Sequence, residues 1–171
     1  MPRIDQVQRR RLVADAPVGR LATVTADGRP HVVPCCFVLR GSDLQPSDLQ
    51  PSESQPSDPP FGETVYSVVD GKPKSTMALK RLDNVRATGG ASLVVDHYDD
   101  DWAQLWWVRV DGEASVLEAG EEWQLAIDAL GAKYRQYREH PPTGSVLRIA
   151  VTGWSDWTAS PITDPPMSEG R

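Results

Sequence analysis

A run of basic and hydroxyl-bearing side chains in the middle of the chain is the segment best suited to chemistry. Between positions 72 and 86 it holds five basic residues and one acid, about +4 in a protein of net charge −6. The cations are Lys72, Lys74, Lys80, Arg81 and Arg86, beside the hydroxyls of Ser75 and Thr76. Cations, hydroxyls and the N–H groups that begin a helix are what proteins use to hold a phosphate. The run predicts a phosphate site, although taken alone it favours an ordinary solvated helix face.

Other side chains offer little chemistry. His97 stands among several aspartates, but an exposed acidic hairpin tip explains it better than a metal site, and we assign no metal ligand. His31 and His140 stand alone and are predicted to lie on the surface. Cys35 and Cys36 are adjacent, so on a strand they point to opposite faces and should remain free thiols. Sequence motifs of dinucleotide-binding and nucleotide-hydrolysing proteins are missing.

The elements that must position the basic run are a strand before it, at 64–69, and a helix within it, at 76–86. Further strands are predicted at 20–25, 31–40, 91–97, 104–117 and 145–153, with a hairpin turn at Asp27-Gly28. A second long helix is predicted at 120–137, because its apolar residues recur at steps of three and four. About six strands joined mostly by hairpins predict a mainly β fold, a six-stranded antiparallel barrel with peripheral helices.

Length and composition predict one domain over residues 1–160 with a flexible tail at 161–171. Residues 42–60 repeat Gln-Pro-Ser-Asp/Glu with a period of five and have few apolar side chains, so we interpret them as a disordered insertion loop. The acidic balance argues against nucleic-acid binding. Neither a membrane-spanning run nor a signal-peptide core is evident, which predicts a cytoplasmic protein with no membrane partner.

Three segments resemble the pyridoxamine 5′-phosphate oxidase-like split β-barrel family. They are the hairpin at 19–31, the stretch from Tyr66-Ser67 to Asn84, and the Trp-rich stretch at 95–112. The Trp-rich stretch, together with 137–142 and 151–154, is similar to an actinobacterial branch that uses the deazaflavin coenzyme F420. The resemblance spans roughly residues 18–160 apart from the Gln-Pro-Ser repeat.

This resemblance implies a homodimer with two cofactor sites at the subunit interface. The residues it places at the cofactor are Val33, Pro34 and Cys35 against the ring, Lys72, Lys74, Ser75, Thr76 and Arg81 around the phosphate, Tyr66 and Ser67 before them, and Trp157 near the ring. One of the six tryptophans on a strand face is also available to line a dimer interface or a flat aromatic ligand.

The resulting expectation is an oxidoreductase that transfers hydride from reduced coenzyme F420 to an unsaturated small organic substrate. The cofactor carries the chemistry, and we name no catalytic acid or base from the protein. Three alternatives stay open: an FMN enzyme of the same fold, a non-catalytic flavin- or F420-binding protein, and a plain dimerising barrel whose basic helix is only solvated.

Overall fold

The computed structural model describes residues 2–41, 63–69 and 76–162, and at 76–79 it describes the backbone alone. The predicted insertion loop at 42–60 and all but two residues of the predicted tail at 161–171 lie outside these ranges. Within them, no helix is long and apolar enough to cross a bilayer.

Seven antiparallel strands form a single sheet in the order β2-β1-β5-β6-β7-β4-β3. The strands are β1 (Gly19–Val24), β2 (Pro30–Cys35), β3 (Val38–Arg40), β4 (Thr64–Val68), β5 (Gly90–His97), β6 (Trp106–Leu117) and β7 (Val146–Thr158). The helices are α1 (Gln6–Asp15), α2 (Thr76–Thr88), α3 (Glu121–Lys133) and α4 (Arg135–Glu139), with a 3₁₀ turn at Trp102–Gln104.

The prediction of six strands is corrected to seven, because the segment predicted as one strand at 31–40 is two. β2 pairs with β1, whereas β3 pairs with β4. Cys36 and Phe37 separate them, yet β2 and β3 occupy opposite edges of the sheet. A link of two residues spans roughly 10 Å at most. The sheet must therefore curl until its edges meet, which gives the predicted mainly β, barrel-like architecture.

Two apolar cores lie on either side of this curled sheet. The main core fills the inside of the curl with fully buried side chains such as Leu21, Phe37 and Leu93. The second core lies between the sheet and α3–α4 and includes Tyr66, Leu130 and Tyr137. β4 is buried along its whole length because it contributes to both cores.

One turn, one bend in a strand and one break in a helix each depend on the backbone conformation of one or two residues. Gly28 has a φ of 85° in the turn between β1 and β2, as expected for Asp-Gly. A register shift between Asp111 and Gly112 bends β6 where the sequence predicts an interruption. The predicted helix at 120–137 divides into α3 and α4, because Tyr134 takes an extended conformation with φ −111° and ψ 117°.

Helix α1 is attached to the far end of the last strand. The backbone N–H of Ile4 donates to Asp156 at 3.3 Å, and Arg9 pairs with the same carboxylate at 3.4 Å. Arg10 forms an ion pair with Glu63, which also accepts from the Trp154 indole N–H at 3.2 Å. These bonds fix the N-terminal segment across the barrel.

Candidate functional site

A cleft of about 220 Å³ opens where the two edges of the sheet meet. The joint between β2 and β3 forms one wall, and the end of β4 and helix α2 form the others. Its lining includes Val18, Pro34, Cys35, Cys36, Val68 and Arg81. Tyr137 of α4 completes the described lining. Apolar side chains beside polar groups and one cation favour a ligand that has a flat or aliphatic part and an anionic group.

Three of the residues predicted at the cofactor, Pro34, Cys35 and Arg81, line this cleft together. Ser67 lies behind it, where its hydroxyl donates to the carbonyl of Cys36 at 2.8 Å and is buried. That bond ties β4 to the joint between β2 and β3 and so fixes the wall that carries the cysteines.

Arg81 is the charged group of the cleft and has an unused donor. Its Nη2 donates to the carbonyl of Val68 at 3.3 Å, which orients the guanidinium. Its Nε is buried and finds no partner among the residues that the structure describes. A buried donor without an acceptor is costly, so an anion entering the cleft would gain a charge-assisted hydrogen bond.

Tyr66 lies away from the cleft, in the second core. Its hydroxyl donates to Glu122 at 2.8 Å, and Arg148 donates to the same carboxylate oxygen at 2.6 Å. Burial, and then the hydrogen bond to Glu122, raise the pKa of Tyr66 to about 12. Tyr66 therefore connects the sheet to α3.

Two further predicted residues also lie apart from the cleft. Val33 shares a strand face with Cys35 and packs against the main core. Trp157 is 37% exposed near the end of β7, whereas Val68 of the cleft pairs with Val146 at the start of that strand. Within one chain, Trp157 does not reach the cleft.

The remaining predicted phosphate ligands cannot be placed. Lys72, Lys74 and Ser75 lie outside the described residues, and Thr76 is described only as the backbone that begins α2.

Lys133 and Tyr134, at the end of α3, support the cleft from behind and were not among the predicted site residues. The Tyr134 hydroxyl accepts from the N–H of Phe37 at 3.0 Å and lies 2.9 Å from the Phe37 carbonyl. Lys133 donates to the carbonyl of Ala16 at 2.8 Å, and burial lowers its pKa to about 8. Their partners lie about a hundred positions away, so no local sequence pattern identifies these contacts.

The cysteines are free thiols, as predicted, and they differ in their surroundings. Cys35 is 7% exposed, and burial raises its pKa. Cys36 is half-buried. His31 differs from its predicted surface position, since it is half-buried with Thr23 Oγ1 3.5 Å from its Nδ1. Across the described ranges, no three His, Cys, Asp or Glu side chains are placed to hold a metal ion.

A curled antiparallel sheet with flanking helices and a cleft at its seam defines the class of split β-barrel proteins. Residues 5–155 match the sequence profile of pyridoxamine 5′-phosphate oxidase. The chain belongs to this family, which confirms the family predicted from its motifs.

Solved structures of similar fold come from several bacteria. A conserved hypothetical protein from Mycobacterium tuberculosis is 17% identical with a TM-score of 0.64, over 99% of this chain and 94% of that one. A FAD-binding protein from Mesorhizobium loti is 20% identical with a TM-score of 0.58, over 89% of this chain and 93% of that one. The heme storage protein HutZ from Vibrio cholerae is 15% identical with a TM-score of 0.60, over 92% of this chain and 95% of that one. At these identities the likeness concerns the fold. No curated protein sequence matches the chain significantly.

Proposed function

We propose that this protein is an oxidoreductase that holds a phosphate-bearing, flavin-type cofactor at the cleft. With the deazaflavin coenzyme F420, it transfers hydride to an unsaturated small organic substrate. The observation that carries the proposal is the buried Nε of Arg81, which has no partner among the described residues, in a cleft whose other described side chains are uncharged. Membership of the pyridoxamine 5′-phosphate oxidase family supports a cofactor at this position.

The residues of the cleft fit such a group. Arg81 offers a cation and a free donor to a phosphate, while Val18, Pro34 and Val68 offer apolar surface to the rest of the molecule. When bound, the cofactor supplies the hydride chemistry. The role of the protein is then to bind and orient the cofactor, and we assign no side chain as acid or base.

A second copy of the chain would complete the site. The outer face of the sheet exposes 43% of Val24, 60% of Val32 and 37% of Trp157, and Pro34 is exposed on the same face. Burying such apolar surface favours association. In a homodimer formed through this face, Trp157 of a second copy would approach the cofactor ring that the first copy holds, and the small organic substrate would bind over that ring.

FMN is the alternative cofactor. Two solved structures of similar fold are described as FAD-binding proteins, the one from M. loti and one from Mycobacterium smegmatis that is 17% identical with a TM-score of 0.53. A non-catalytic flavin- or F420-binding protein is the other alternative, since HutZ is described as a storage protein on a similar fold.

Titration of the purified protein with coenzyme F420 and with FMN tests the proposal. We expect F420 to bind more tightly, measured by fluorescence and calorimetry. Arg81→Met should weaken binding about tenfold to hundredfold, as the loss of a charge-assisted hydrogen bond predicts. Arg86→Met is the matched control, because Arg86 is on the same helix but pairs with Asp83 and Glu118.

Two outcomes would overturn the assigned site: neither cofactor binds, or Arg81→Met binds as tightly as the native protein. Preference for FMN would replace F420 as the cofactor. Binding without turnover across a panel of unsaturated acceptors would identify a carrier in place of an enzyme.

A further inference from the structure

Two segments that line the cleft run past the end of the ladder between β1 and β2. The last pair of that ladder is Gly19 with Cys35. Val18 and Cys36 are the next residues on the two segments, and both line the cleft. Pro17 follows Val18 away from the ladder and has no N–H with which to continue it. Another contact must therefore fix the separation of these two segments.

The hydroxyl of Tyr134 supplies this contact one position further along each segment. It accepts from the N–H of Phe37 at 3.0 Å, and it lies 3.0 Å from the carbonyl oxygen of Pro17 and 2.9 Å from that of Phe37. Its one hydrogen can be donated to either carbonyl. Because Pro17 and Phe37 are the neighbours of Val18 and Cys36, a single hydroxyl bridges the two segments directly beside the lining residues.

Neighbouring contacts hold Tyr134 itself in place. Lys133 donates to the carbonyl of Ala16 at 2.8 Å, and its Nζ lies 4.2 Å from the centroid of the Phe37 ring. The Tyr134 ring meets that of Tyr137, which also lines the cleft, edge to face with the centroids 5.5 Å apart. The end of α3 thus contacts the link before β1, the joint between β2 and β3, and α4.

We propose that Tyr134 is a positioning residue for the ring of the bound cofactor, a role that rests on the function proposed above. Its hydroxyl holds Val18 and Cys36 at the separation that receives the ring, while Arg81 of α2 acts separately on the phosphate. Different helices then recognise the two ends of the cofactor. Removal of the hydroxyl should weaken binding of the ring without changing the contribution of the phosphate.

Paired ligands with and without the phosphate test this division of roles. The pairs are FMN with riboflavin, and coenzyme F420 with its phosphate-free deazariboflavin core, each titrated by fluorescence. Tyr134→Phe should weaken both members of a pair by the same factor, about tenfold, because the ligand must then order the wall itself. Arg81→Met should weaken only the phosphate-bearing member and leave the other within about twofold of the native protein.

Gly112→Ala is the matched control for a loss of stability, because a Cβ there meets backbone and Gly112 is not among the described residues that line the cleft. All variants are compared at a temperature at which circular dichroism shows them folded. Gly112→Ala should bind both members of a pair as the native protein does. Equal weakening in Gly112→Ala, native affinity in Tyr134→Phe, or an effect of Tyr134→Phe confined to the phosphate-bearing ligand would each overturn the role of Tyr134.

Hydrogen exchange in the native protein provides a measurement that needs no variant. The cofactor should slow exchange of the Phe37 N–H about tenfold or more, since this N–H donates to the Tyr134 hydroxyl and binding orders the wall. An unchanged rate overturns the proposal. If the native protein binds no member of either pair, the proposed function fails and the role of Tyr134 with it. If it binds them and Tyr134→Phe has no effect, the role of Tyr134 alone is wrong.

Discussion

Lys133 is held where its own charge is disfavoured. Its Nζ lies 2.8 Å from the Ala16 carbonyl and 4.2 Å from the centroid of the Phe37 ring. Burial lowers its pKa from 10.5 to about 8. Between these two values the unfolded chain binds more protons at this residue than the folded chain does. The contribution of Lys133 to the free energy of unfolding should therefore rise with pH from about 8 towards 10.

Lys133→Met removes this titration while keeping most of the apolar stem. We expect urea unfolding of the native protein to show the rise above about pH 8 and the variant to lack it. Lys80→Met, at an exposed position on α2, should leave the rise intact. Parallel profiles for the native protein and Lys133→Met would contradict the assignment. Cys35, whose pKa burial raises from 9.0, lowers stability above about pH 9 in both proteins, and Tyr66 and Tyr134, whose pKa values burial raises to about 12, do so only above about pH 10, so the difference between the two profiles isolates Lys133.

Tyr134→Phe tests the support behind the cleft at the level of one hydroxyl. The change leaves the N–H of Phe37 without its acceptor at 3.0 Å. An unsatisfied buried donor costs about 1–3 kcal/mol, so we expect that loss in the free energy of unfolding from chemical denaturation. Tyr98→Phe is the control, since Tyr98 is 68% exposed. Equal stability of the two variants would show that this hydrogen bond contributes nothing.

At the scale of elements, the glycine at the bend of β6 occupies a position with no room for a side chain. A Cβ on Gly112 would lie 2.1 Å from the carbonyl oxygen of Ala150, which is backbone and cannot move aside cheaply. Gly112→Ala should lower the free energy of unfolding by about 1–3 kcal/mol in thermal or chemical denaturation. Gly153→Ala, on the strand paired with this bend, should be close to neutral, because a Cβ there meets nothing within 4 Å. Similar losses in both variants would contradict this explanation.

The sequence correctly predicts those elements whose bounds depend on the conformation of nearby residues. It fails for elements whose bounds depend on pairing with a strand that is distant in the chain. The turn at Gly28 and the interruption at Asp111-Gly112 depend on backbone conformation and were predicted. The break at Cys36-Phe37 was missed, because β4 provides the pairing partner that begins a new strand. The last strand extends to Thr158, beyond its predicted end at 153, because β6 pairs with it to the end.

The candidate site likewise contains residues that the sequence predicted and residues that it did not. Pro34, Cys35 and Arg81 were predicted by resemblance to a family, and the structure places them together. The roles of Lys133 and Tyr134 depend on contacts across about a hundred positions, which neither spacing nor composition reveals.

At the scale of the whole molecule, the exposed apolar side chains on the outer face of the sheet lead us to propose a homodimer that forms through this face. Val32→Asp places a charge on the face through which we propose that two copies associate, where Val32 is 60% exposed. We expect the variant to sediment as a monomer and to bind cofactor more weakly, because the second copy would no longer cover the site. Val7→Asp, on α1 with the same 60% exposure, should remain dimeric. A native protein that sediments as a monomer would contradict the proposed dimer.

The position of β7 between β6 and β4 has a consequence for synthesis of the chain. β4 has only the three-residue β3 as a partner until β7 is made, since Ser67 pairs with Leu147, 80 positions later. At about 5–20 residues per second, an apolar strand waits roughly 4–16 seconds for its main neighbour. The Asp156 carboxylate that fixes α1 emerges later still. The nascent chain therefore exposes, until β7 is made, an apolar strand of the kind that chaperones bind and that the folded barrel conceals.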